Sequence, residues 1–141
     1  LSLQLKTNAK LDKYVKTTDL PKKDGKIPVN VNCAVAGWGK TGPNTPTSNV
    51  LRETTEKMQF SPECRNIWKE NFSVLRMICT KFTKTKGGIC QGDSGGTLIC
   101  NSKVQGITDF TAYNECDNPK YPHVFAKVGF YLPWIQKMMK K

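Results

Sequence analysis

The stretch Cys90-Gln91-Gly92-Asp93-Ser94-Gly95-Gly96 decides how this chain is read. A serine set between an aspartate and two glycines does not suit a core segment. Glycines at 92, 95 and 96 let backbone N–H groups approach another molecule closely and adopt conformations that other residues resist. N–H donors held in that way beside a nucleophile form an oxyanion hole. The bland alternative is a chance glycine-rich turn.

Outward from that turn the chain reads as short strands separated by turn signals. Cys33 to Gly39 is a short apolar run ending in glycine. Glu53 to Phe60, Arg76 to Thr80, Thr97 to Asn101, Val104 to Thr108 and His123 to Lys127 are further strands. Leu1 to Leu5 alternates with period two and reads as another. Residues 16–32 are rich in lysine, proline and glycine and read as a linker, and Lys40 to Asn49 as a surface loop. Ser61-Pro62-Glu63 has the cap residue, early proline and early carboxylate of a helix start, with the helix running to about Asn71. A final helix begins near Pro133 and turns Ile135 and Met138 inward. Such a succession indicates an antiparallel barrel or sandwich. Asn71-Phe72-Ser73 is a glycosylation sequon on a predicted loop.

Bulk composition narrows the class. The 141 residues make one modest domain, and 38% hydrophobic content is enough for a core. Six cysteines, an even number in a short chain, point to disulfides and an oxidising compartment. No Cys-x-x-Cys or Cys/His cluster occurs and His123 is the only histidine, so neither a metal nor a cofactor is expected. The net charge of +11 favours acidic partners such as sulfated glycosaminoglycans, unless it only solvates the surface. Without an arginine-rich run or stacking motif, sequence-specific nucleic-acid binding is not expected. No apolar run of 18 residues occurs, hence no membrane span. A signal peptide is also absent, and with a strand at the very start this suggests that the true N-terminus lies upstream.

Gly92-Asp93-Ser94-Gly95-Gly96 resembles the nucleophile motif of chymotrypsin/trypsin-like serine proteases. The likeness extends over essentially the whole chain. Cys33 to Gly39 is similar to the segment opening that family's second barrel, Val50-Leu51-Arg52-Glu53 to the strand start after it, and Tyr121-Pro122 to Trp134-Ile135 to its last strand and helix. Lys10 to Val15 and Leu20-Pro21-Lys22-Lys23 resemble granzymes of the A and K type. The resemblance implies an all-β fold, the second six-stranded antiparallel barrel of two with a short C-terminal helix. Residues 1–32 would then be a remnant of the first barrel and the inter-barrel linker, and residues 33–141 the second barrel. It implies disulfides Cys33–Cys100, Cys64–Cys79 and Cys90–Cys116, where the sequence alone leaves fifteen connectivities.

The resemblance also implies serine endopeptidase chemistry on protein or peptide substrates, in the secretory-granule lumen or outside the cell. Ser94 would be the nucleophile, the N–H groups of Gly92 and Ser94 the oxyanion hole, and Asp93 the partner of an amino terminus made by proteolytic activation. Gly88, Ile89, Gln91, Asp109, Phe110, Thr111 and His123 would form the substrate pocket. The family's base histidine and orienting aspartate belong to its first barrel, which this sequence lacks. The chain thus reads as a fragment inactive alone, with Asp93 poorly paired. An inactive protease-like protein that binds anionic glycans is the alternative.

The pocket positions depart from trypsin-like usage. Gly88 stands where an aspartate would pair with Lys or Arg. Thr111 replaces a pocket-wall glycine and narrows the entrance. His123 replaces another, and there it either accepts an acidic side chain or plugs the pocket; a histidine packed away from the pocket is the bland reading. Asp109 stands where serine usually bonds the triad aspartate, and two carboxylates in contact repel. Phe110 keeps an aromatic wall in place of tryptophan. Pro122 is the residue of members without a sodium site.

Overall fold

The computed structural model describes residues 2–85 and 87–140. Six strands close into an antiparallel barrel: β1 (Asn32–Gly37), β2 (Arg52–Met58), β3 (Met77–Lys81), β4 (Thr97–Cys100), β5 (Lys103–Phe110) and β6 (His123–Lys127). Their order around the barrel is β1-β2-β3-β6-β5-β4. Helix α1 (Ser61–Trp68) and a short 3-10 turn (Lys69–Asn71) lie between β2 and β3, and helix α2 (Val128–Met139) follows β6.

Period-two patterning builds the interior. Cys33 and Val35 of β1, Leu98 and Cys100 of β4 and Val104 and Thr108 of β5 are buried while their neighbours face outward. Cys33, Val35, Leu98 and Cys100 form the central cluster with Met58, Ile78, Ile89 and Phe125, while Val104 packs with Val128 and Leu132. Gly106 faces inward in β5 because the barrel is full there: a Cβ would lie 3.0 Å from Phe125 Cβ and 3.2 Å from Ile78 Cδ1.

Each disulfide staples a different part. Cys33–Cys100 joins directly opposed residues of β1 and β4 and so clamps the barrel seam. Cys64–Cys79 ties α1 to β3. Cys90–Cys116 ties the loop before β4 to the loop before β6.

Three expectations change. Residues 2–5 are not a strand, and Leu1 lies outside the described residues. A strand needs a partner for its N–H and C=O groups, and a closed barrel offers none. Leu3 and Leu5 are instead exposed, and the first contacts with the barrel come later, through the Asp19–Lys103 bridge, the Asp24–Lys127 ion pair and the backbone bonds of Asn30 and Val31 to Met58. Ser61 does not cap α1: Phe60 holds the cap position with no side-chain bond, and Ser61 is already helical. Helix α2 starts at Val128, not near Pro133, because Val128 and Leu132 are its most deeply packed apolar residues, against Val104.

Candidate active site

The turn Cys90 to Gly96 enters β4 in a conformation only glycines permit. Gly92 has φ +100° and Gly95 φ +83°, both in the left-handed region. A Cβ on Gly92 would also come within 3.0 Å of Gly39 Cα. The turn is fixed from both sides. Lys40 N–H donates to the Gln91 carbonyl at 2.8 Å, and Gly95 N–H donates to the Thr108 carbonyl at 2.9 Å.

The N–H groups of the turn are used unevenly. That of Asp93 donates to the Cys90 carbonyl at 3.1 Å and that of Gly96 to the Asp93 carbonyl at 3.0 Å. Among the described residues no acceptor takes the N–H of Gly92 or of Ser94. Ser94 is exposed, and none of the described residues is bonded to its hydroxyl. An exposed hydroxyl thus stands beside two uncommitted backbone donors.

Asp93 turns the other way, beneath the turn. Its Oδ1 accepts the Gly39 N–H at 2.8 Å and its Oδ2 the Cys90 N–H at 3.0 Å. The carboxylate is therefore hydrogen-bonded on both oxygens, while no cation among the described residues forms an ion pair with it. It borders a cavity of about 300 Å³, lined also by Gly37, Gly39, Arg52 and Glu53. A Cβ on Gly37 would collide with Asp93 Oδ1, so glycine there makes room for the carboxylate.

His123 does not face Ser94. It is fully buried at the start of β6 and stacks on Phe82 with ring centroids 3.9 Å apart. Its Nδ1 lies 2.8 Å from Glu56 Oε1 and its Nε2 2.8 Å from the Cys116 carbonyl. Glu56, on an inward position of β2, is itself fully buried. Its Oε1 also accepts the Ile89 N–H at 2.9 Å, and its Oε2 accepts the Thr80 hydroxyl. Gly88 lies against this pair: a Cβ there would be 2.6 Å from His123 Cε1 and closer still to Glu56 Oε1.

The other expected pocket residues lie nearer Ser94. A cleft of about 200 Å³ is lined by Cys90, Gln91, Ser94, Thr108, Asp109, Phe110, Thr111 and Tyr113. Asp109 is exposed at an irregularity of β5, where the pairing with β6 shifts between Thr108 and Phe110. Phe110 is set edge-on against Trp68 at 5.0 Å, and Trp68 Nε1–H donates to the Pro122 carbonyl at 3.0 Å. Gly88, Ile89 and His123 do not line this cleft. Asn71 is exposed at the end of the 3-10 turn. Among the described residues no group of three or more His, Cys, Asp or Glu side chains is placed to hold a metal. Nor is any helix long and apolar enough to cross a membrane.

A trypsin family model matches residues 1–135. The chain belongs to the trypsin-like serine protease family. It is 37% identical over 139 residues to granzyme B of Rattus norvegicus and 35% identical to mast cell protease 2 of Meriones unguiculatus. Each alignment covers 99% of this chain and 54% of the relative, so the chain spans about half the length of these relatives. Among solved structures it superposes on neuropsin, a serine protease expressed in the limbic system of mouse brain, with a TM-score of 0.86 and 31% identity. That match covers 96% of this chain and 59% of neuropsin.

Within this trypsin-like barrel the residue that sequence reasoning missed is Glu56. Gly88 itself carries no carboxylate, yet β2 brings that of Glu56 against it. The signal was present in β2, where Glu56 shares the inward phase with Met58. A carboxylate in an inward phase calls for a buried partner.

Proposed function

We propose that this chain supplies the nucleophile side of a serine endopeptidase of granzyme type. The observation that supports it most is the exposed Ser94 hydroxyl beside the uncommitted N–H groups of Gly92 and Ser94. Ser94 Oγ attacks the scissile carbonyl, and the two N–H groups receive the negative charge that develops on its oxygen. Asp93 positions the turn through Gly39 and Cys90 and accepts an incoming ammonium in the adjoining cavity. The general base and its orienting carboxylate come from outside residues 1–141, because both ring nitrogens of the sole histidine are engaged in the barrel. Residues 2–18 serve as the arm towards the half that carries them, with Leu3, Leu5, Leu11 and Tyr14 exposed for it. Three disulfides fit an extracellular or granule-lumen setting.

A fluorophosphonate probe, which labels only an activated serine, tests this reading. The 141-residue chain alone stays unlabelled. The same chain preceded by a barrel carrying the histidine and aspartate is labelled, and Ser94→Ala abolishes the label. Robust labelling of the chain alone, or none in the completed enzyme, refutes the reading.

A further inference from the structure

The buried pair Glu56–His123 has the chemistry of a lock. His123 faces an acceptor at each ring nitrogen: a carboxylate oxygen at Nδ1 and a backbone carbonyl at Nε2. The carbonyl has no proton to give, so Nε2 carries one. A lone pair at Nδ1 cannot sit 2.8 Å from a carboxylate lone pair, so a proton lies between Nδ1 and Oε1. Wherever that proton resides, the pair is neutral overall. Each carboxylate oxygen also accepts a further bond, Oε1 from the Ile89 N–H and Oε2 from the Thr80 hydroxyl. No buried side-chain nitrogen or oxygen is left without a partner among the described residues. Charge and hydrogen bonds are thus satisfied internally, which is the condition for a buried ion pair to persist.

Position gives the lock its consequence. Ile89 precedes Cys90, the first residue of the nucleophile turn, and Cys116 is the disulfide partner of Cys90. The pair fills the space a side chain at Gly88 would take, and neither Glu56 nor His123 lines the cleft beside Ser94. We propose that Glu56 is a specificity-determining residue: by holding His123 in a neutral, fully bonded pair beneath Gly88, it closes the deep pocket and leaves a shallow cleft for short, uncharged side chains at the residue before the scissile bond. His123 then offers no charge to an acidic substrate, and Glu56 offers none to a basic one. This inference rests on the endopeptidase reading but not on its success, since the lock exists in the chain by itself.

Two arms test it. In the 141-residue chain His123 is the only histidine, so its imidazole signals need no assignment by elimination. Proton and nitrogen NMR of the wild type show two exchange-protected downfield protons at the ring. The Nδ1–Oε1 proton is lost in Glu56→Gln, which cannot balance a cationic ring. A freely exchanging imidazole in the wild type overturns the lock. In the completed, fluorophosphonate-reactive enzyme, a peptide library is cleaved after Ala, Ser or Thr at least about tenfold faster than after Asp, Glu, Lys or Arg. The double variant Glu56→Leu/His123→Gly removes both partners together and leaves no orphan charge. It shifts the preference about tenfold or more towards larger apolar side chains. Cleavage by the wild type after charged residues at rates matching alanine overturns the proposal. Absence of fluorophosphonate labelling overturns the endopeptidase reading, and the NMR arm then decides the lock.

Discussion

Gly88→Ala is a severe test of the packing beneath the nucleophile turn. The backbone at 88 is outside the left-handed region, so alanine carries no conformational penalty there. The added Cβ would lie 2.6 Å from His123 Cε1 and 2.9 Å from Nδ1, with Glu56 Oε1 nearer still. Carbon contacts relax at roughly 3.5–4.0 Å, so the neighbours must retreat by about 1 Å. They are poorly able to do so. Glu56 is held by Thr80, Ile89 and His123, and His123 by Glu56, the Cys116 carbonyl and Phe82. Overpacking costs about 1–3 kcal/mol in general, and so constrained a site belongs at the upper end. A loss of about 3 kcal/mol lowers Tm by roughly 10 °C in a domain of this size. Urea unfolding with the disulfides intact gives the value as a shift in midpoint at constant slope. The companion Glu56→Ala/Gly88→Ala removes the clashing carboxylate, so the double variant is less destabilised than the sum of the singles by at least about 1 kcal/mol. A Gly88→Ala protein within about 0.5 kcal/mol of wild type, or strict additivity in the cycle, would refute the reasoning.

Two further outcomes are expected. Replacing Cys90 and Cys116 together by alanine opens a loop of sequence separation 26, and chain entropy puts the loss at about 3.5 kcal/mol; a denaturation midpoint unchanged from wild type would show the native turn to be held by its hydrogen bonds instead. If the charge of +11 serves anionic glycans, the chain elutes from heparin well above roughly 0.15 M salt, and elution at or below that concentration removes the glycan-binding reading.

The sequence by itself determined much of this barrel. Alternation in Cys33–Val35, Leu98–Cys100 and Val104–Thr108 marks inward positions because side chains on a strand point to opposite faces. Gly92 and Gly95 are legible because only glycine enters the left-handed region cheaply, and the turn is a local object. The family followed from the same seven residues and the segments around them. Other features had no local signature. Leu1 to Leu5 alternates like a strand, but strand formation needs a partner that the closed barrel does not supply. The first turn of α1 has the residues of a cap without the cap bond, since the position of Phe60 is set by the chain leaving β2. Above all, Glu56 and His123 are 67 residues apart and meet only because β2, β3 and β6 are consecutive around the barrel. Nothing in either residue's neighbourhood names the other. Whether a buried carboxylate is a floor, a lock or a fault depends on which donors face it, and those donors come from three separate segments that only the tertiary fold brings within hydrogen-bonding distance.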